Sequence, residues 1–164
     1  MEPQIKGARG SIASVDDALD KVNQFCKERD CEAQMMDAGL VFGTTHILSA
    51  FDHAQRAFDE GRNSSRTLAT EVLLYASGER QISESIEKMG IKDGTTEFCI
   101  ILLGEADIGD LVHDLGLKED DSVLEGNTSK LEAFGISQRE MDTVPVERVF
   151  DLVLERVAMV DLLK

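Results

Sequence analysis

Three groups of residues carry side chains that could do chemistry. His46 and His53 stand seven apart, with Asp52 and Glu60 nearby. That spacing puts both imidazoles on one helix face, where they could hold a metal. Asp110, His113 and Asp114 could converge in the same way. Each pattern also has a plainer reading, which is preferred. The first is a helix stripe with solvated histidines, and the second is a solvated face in the most acidic part of the chain. The third group is cationic and sits in the stretch ATEVLLYASGERQISESIEKMGI, residues 69–91. Here Arg80 and Gln81 lie between two apolar segments that read as helices hinged at Ser77-Gly78.

This elbow supports two readings. In one, Arg80 makes a local ion pair and Gln81 caps backbone groups. In the other, Arg80 and Gln81 form an anion-binding helix start, because a guanidinium suits phosphate and a helix N-terminus adds unpaired N–H groups and a positive dipole end. The connector with Arg62, Asn63 and Arg66 could approach the same spot, and Tyr75 could stack on a base or simply pack. Beyond the elbow, Ile82, Ile86 and Met89 fall at i, i+4 and i+7. They share a face that either joins the core or meets a partner.

The elements that must position these groups follow from periodicity and capping. Residues 4–9 read as a short strand. Ser14 with Asp17 resembles a capping box opening a helix with Val15, Ala18, Leu19, Val22 and Phe25 at helical spacing. Residues 32–42 read as strands with a turn or bulge at Gly39. Thr44 or Thr45 caps a helix whose buried face is Ile47, Phe51, Ala54 and Phe58, stopping at Gly61. Residues 98–103 form a continuous apolar run, read as a central strand. A short helix covers 108–115, and Val123-Leu124 is a possible short strand. Ser137 with Glu140 is a better capping box. Pro145 is placed as the first residue of a long final helix. In it Val146, Phe150, Val153, Val157 and Val160 form one stripe, and Leu152, Met159 and Leu162 or Leu163 form a second. Apolar stripes on two sides call for two neighbours, the core and a partner. The expectation is one α+β domain over residues 1–164, a small mostly antiparallel or mixed sheet packed with several helices.

Composition narrows the function. Hydrophobic residues make up 42% and charged residues 30% of the 164, as in globular proteins. Apolar runs are too short to span a membrane, and the first residues carry no secretory signal. Cys26, Cys31 and Cys99 are odd in number and lack CxxC spacing. That points to a reducing cytoplasm, with Cys99 as inert core. No phosphate-loop, dinucleotide or nucleophile-elbow motif occurs, so nothing favours catalysis, and no metal or cofactor is expected. The net charge of −15 at pH 7 opposes nucleic-acid binding through the overall field. Residues 106–125 hold seven acids against Lys118, whereas residues 62–81 hold three arginines against Glu71 and Glu79. An anion therefore does best near the elbow.

The segment GRNSSRTLATEVLLYASGERQISESIEKMGI, with IKGARG, HILSAFDHAQRAF, DDSVLE and LERVAMVDLLK, resembles the TPRKB-type (PRPK-binding) subunits of the KEOPS complex, with an archaeal-like form of the motif. The resemblance covers nearly the whole chain and rests on E-x-L-L-x-x-A-S-G joined to R-Q-I. It implies an α+β fold and a non-catalytic role. It also implies a small atypical kinase/ATPase subunit as partner, and service to threonylcarbamoyladenosine formation in tRNAs that read codons starting with A. The archaeal members look like tRNA-binding subunits that hold the 3′ CCA end. Carried onto this chain, it places the Arg80-Gln81-Ile82 elbow and its helix in the family's working surface and favours Ile82, Ile86 and Met89 as the kinase interface. Joined to the reading of the residues above, the expected tRNA contact is Arg62, Asn63, Arg66, Tyr75, Arg80 and Gln81, weak and local because of the net charge. A pure protein-interaction subunit without RNA contact, and a metal-dependent enzyme built on the histidines, remain as alternatives.

Overall fold

The computed structural model describes residues 2–164. Four strands form one antiparallel sheet in the order β2-β3-β1-β4: β1 (Gln4–Arg9), β2 (Glu32–Asp37), β3 (Glu97–Leu103) and β4 (Lys118–Glu119). In register, Gln4 faces Leu102 and Arg9 faces Glu97, while on the other side Glu32 faces Leu103 and Asp37 faces Phe98. The strand β3 is therefore central, as its unbroken apolar run required. Phe98, Ile100 and Leu102 point into one apolar layer, and Cys99, Ile101 and Leu103 into the other. A strand covered on both faces has no solvent side to make polar.

The first layer is closed by α1 (Val15–Arg29) and α5 (Ile108–Asp114), through Ala18, Val22 and Phe25 and through Ile108, Leu111 and Val112. Ser14 caps α1 by accepting a 3.0 Å bond from the Asp17 N–H. The second and larger layer gathers α2 (Thr44–Asp59), α3 (Leu68–Ser77), α4 (Ile82–Met89), α6 (Thr128–Phe134) and α8 (Asp151–Leu163). A short α7 (Gln138–Met141) begins at Ser137, whose hydroxyl accepts from the Glu140 N–H. The arrangement is a single α+β domain.

Four local expectations are corrected. Gly43, with no side-chain cap bond, rather than a threonine, precedes α2. The turn expected at Gly39 is present as a 3-10 turn over residues 38–40, but no second strand follows it at residues 41–42, and residues 121–124 form a 3-10 turn, not a strand. The second turn arises because Asp120 and Asp121 turn the chain back on β1: Asp120 donates its N–H to the Gly7 carbonyl, and Asp121 accepts from the Gly7 N–H at 2.8 Å. A Cβ at Gly7 would lie 2.5 Å from the Asp120 oxygen, so the crossing requires glycine. Finally, Pro145 does not open the long helix. It stands extended before a 3-10 turn over Val146–Arg148, and α8 starts at Asp151. The break shifts the register, so Val146 is 89% exposed and Phe150 is only partly covered, packed on Phe42 at 5.4 Å. The inner stripe of α8 is Val153, Val157 and Val160.

Candidate protein and RNA interface

The elbow is held from inside. Gly78 ends α3 in the left-handed region at φ 74°, which glycine adopts without strain. The Ser77 hydroxyl donates to the Leu74 carbonyl and meets the Ser85 hydroxyl at 2.9 Å, and Ser85 also donates to the Gln81 carbonyl. Lys88 crosses back to donate to the Ser77 carbonyl at 2.6 Å, pairs with Glu79 at 3.5 Å and lies 3.9 Å over the Phe134 ring. The inner face of α4 is consequently Ile82, Ser85 and Met89, at i, i+3 and i+7. A small serine at its centre lets the two helices close.

That geometry overturns the shared face expected for Ile82, Ile86 and Met89. Met89 is fully buried in the larger layer and is not an accessible contact residue, whereas Ile86 is 50% exposed on the flank of the helix. Ile82 is partly covered and turns toward the connector.

Tyr75 is likewise withdrawn as a stacking platform. It is fully buried, and its ring is already stacked on His53 at 5.5 Å and 17°. Its hydroxyl donates to Asp161 and accepts from Lys164 at 3.0 Å. Lys164 continues to the wholly buried carboxylate of Glu71 at 2.7 Å, which also accepts from the Ser64 and Ser65 N–H groups. Asp161 further meets His53 at 2.8 Å and Arg62 at 3.4 Å. Partial burial opposes ionisation of Asp161. Hydrogen bonds from Tyr75, His53 and Arg62 outweigh it and hold the carboxyl below its ordinary value. This network ties α8 to α3 and fixes the connector.

The predicted cations thus separate. Arg62 is spent on Glu60 at 2.6 Å and on Asp161. Among the described residues, Arg66 and Arg80 make no ion pair, and both are exposed. Asn63 is exposed and donates to the Ser65 carbonyl. Gln81 occupies the N-cap of α4 without a side-chain cap bond, so neither structural role expected for Arg80-Gln81 is realised. Arg66 and Ile82 share a cleft of about 400 Å³ with Ser64, Ser65, Thr67 and Thr70. The Ser65 hydroxyl is buried without a partner. Because Glu71 is buried and neutralised, the outer surface here is less acidic than the residue count suggested. Ser64 and Ser65 lie in the expected 62–66 connector, but Thr67 and Thr70 were missed among the lining residues. Thr67 is the N-cap of α3 and accepts from the Thr70 N–H, so the helix-start signal in T-x-x-T would have found both.

A second surface lies on α8. Met159, Leu162 and Leu163 are 38%, 81% and 47% exposed, and Leu48 on α2 is 41% exposed.

The histidine reading is also corrected. His46 is not solvated but fully buried. Its Nδ1 accepts from the Phe42 N–H at 3.1 Å, which leaves Nε2 to donate to the Ala76 carbonyl at 2.8 Å. Burial lowers its pKa to about 4, and both ring nitrogens are taken. His113, Asp110 and Asp114 are exposed on α5. Among the described residues no cluster of three histidine, cysteine or acidic side chains could hold a metal, and no helix is long and apolar enough to cross a membrane.

The fold and these surfaces define a small α+β domain with outward apolar side chains on its last helix and unpaired arginines beside its elbow. Residues 12–161 match the family described as kinase binding protein CGI-121, and the chain belongs to that family. It is 29% identical over 161 residues, 98% of either chain, to the regulatory protein Cgi121 of Methanocaldococcus jannaschii. It is 29% identical over 113 residues, 65% of this chain and 58% of the other, to the KEOPS complex subunit Cgi121 of Pyrococcus abyssi. An EKC/KEOPS complex subunit, cgi121 of Aspergillus fumigatus, is 36% identical over 72 residues, 44% of this chain and 38% of the other.

Proposed function

We propose that this chain is a non-catalytic subunit of a KEOPS-type complex in the cytoplasm. It binds the small atypical kinase/ATPase subunit and helps hold the 3′ CCA end of tRNA for threonylcarbamoyladenosine formation. The kinase part is supported by the family description, and the KEOPS part by the names of the Pyrococcus and Aspergillus relatives. The outer residues Met159, Leu162 and Leu163 of α8 offer the apolar anchors in which interface energy concentrates, with Ile86 as a second contact. The RNA part is carried by one observation: Arg66 and Arg80 remain unpaired in the least acidic stretch, and Arg66 borders a cleft with an unpartnered Ser65 hydroxyl. Guanidinium groups take phosphates, and single-stranded ends are held by such local contacts with unstacked bases lodged in clefts. Asn63 and Gln81 lie beside them as further polar contacts.

The net charge of −15 favours a second reading, a pure protein-interaction subunit whose partners supply all RNA contact. Binding of intact tRNA and of tRNA trimmed of its CCA, measured by fluorescence anisotropy, separates the two. Weak binding that depends on the CCA and is lost in Arg80→Glu is expected. Equal binding of both RNAs would sink the site assignment, and no binding of either would leave the protein-interaction reading standing.

A further inference from the structure

Cys26 and Cys31 are separated by four residues in the sequence, but the end of α1 brings them together. Asp30 adopts the left-handed conformation at φ 51°, rare for a residue with a side chain. The N–H groups of both Asp30 and Cys31 donate to the Cys26 carbonyl, the latter at 3.2 Å. This is the helix-ending motif in which the first and sixth side chains face each other. A direct backbone bond of that kind holds two Cα atoms in the range of roughly 4.4–6.8 Å that a disulfide spans. Both cysteine side chains are half-buried, and both line a cavity of about 230 Å³ with Leu19, Asn23, Glu32 and Thr70. Cys99, by contrast, is sealed inside β3.

We propose that Cys26 and Cys31 form a dithiol site that closes to an intramolecular disulfide when hydrogen peroxide oxidises it. One sulfur attacks the peroxide O–O bond, which breaks. A sulfenic acid forms, and the departing hydroxide takes the thiol proton as water. The second sulfur attacks the sulfenic sulfur. An S–S bond forms, the S–O bond breaks, and a second water leaves with the other thiol proton. Two electrons pass from the thiols to the peroxide. Burial pushes the Cys26 thiol up to about 12, which disfavours it for the first attack and leaves that step to Cys31. The site is independent of the RNA and kinase readings.

The test treats the folded chain carrying Cys99→Ser with hydrogen peroxide, alkylates it under denaturing conditions and maps it with trypsin without reduction. Lys27 and Arg29 lie between the two cysteines, so cleavage parts them unless sulfur joins them. The expected result is loss of two hydrogens, no alkylation, peptide 22–27 joined to peptide 30–56, and full reversal by dithiothreitol. Cys26→Ser should instead leave Cys31 as a sulfenic acid that dimedone traps. Should Cys99→Ser fail to fold, wild type gives the same map, because Cys99 lies on the separate peptide 93–118. Oxygen adducts on Cys31 with Cys26 still open to alkylation, or linkage only between two chains, would overturn the proposal.

Discussion

The elbow and the C-terminal helix both carry more apolar residues than one helix face needs, yet they resolve the surplus differently. Helix α3 lies in the middle of the larger layer, against α2, α4, α8 and the sheet, and every residue from Val72 to Ser77 is buried. Helix α8 lies at the edge of that layer, so Val153, Val157 and Val160 turn inward while Leu162 stays 81% exposed. An apolar run with no polar face marks an element surrounded by its own chain. A second apolar stripe on an edge helix marks a surface that something else covers.

The largest effect that tests this contrast is Met89→Glu. A carboxylate placed in the larger layer should cost several kcal/mol against a total of roughly 5–15 kcal/mol, and thermal melts should show an unfolded or badly destabilised chain. Leu162→Glu should leave stability within roughly 0.5 kcal/mol of wild type and still abolish capture of the kinase subunit. Equal melting losses in both variants would erase the distinction between centre and edge.

His46 should give the next effect. A buried imidazole with a folded value of about 4 binds its proton more readily when unfolded. Its contribution is complete above about 6.5 and is lost as pH falls towards 4, on the order of 3 kcal/mol in all. Urea melts across that range should show the decline, and His46→Gln should flatten it while lowering stability at neutral pH. Asp161 works at the edge. Its folded value is depressed, so its share is present above the ordinary carboxylate range and is lost as pH falls through the folded value. Asp161→Asn should remove that acid limb and loosen α8, seen as faster amide exchange near Val160.

The smallest stability effects belong to the exposed arginines. Arg66→Glu and Arg80→Glu should leave the melt unchanged and weaken tRNA binding. Arg62→Ala, which breaks contacts to Glu60 and Asp161, should slightly lower stability instead.

Much of this frame was legible in the sequence, and the limits have physical causes. The run at residues 98–103 announced a strand covered on both faces. Ser14 and Ser137 announced their helices, because a side-chain cap is a local interaction. The second stripe of α8, with Met159 and Leu162, was readable from spacing. Met89 and Ile86 were not separable, because positions i+4 and i+7 both lie within the arc a helix can bury, and its rotation is set by tertiary contacts such as Ser77–Ser85 and Lys88–Ser77. Tyr75 and His46 were misread for a related reason. Their partners, Asp161 and Lys164 for one, Phe42 and Ala76 for the other, include groups far along the chain or on the backbone, which no residue pattern reveals. The separation of Arg62 from Arg66 and Arg80 likewise depends on Asp161, which lies 99 residues from Arg62.

The proposed function places two separate binding surfaces on one domain, one for a kinase and one for RNA. Its most direct measurement is a crossed capture experiment, in which wild type, Leu162→Glu and Arg80→Glu are each assayed for kinase pull-down and for tRNA binding. Leu162→Glu should lose the kinase and keep the RNA, and Arg80→Glu should lose the RNA and keep the kinase. Folded variants that each retain both partners, or each lose both, would contradict the account.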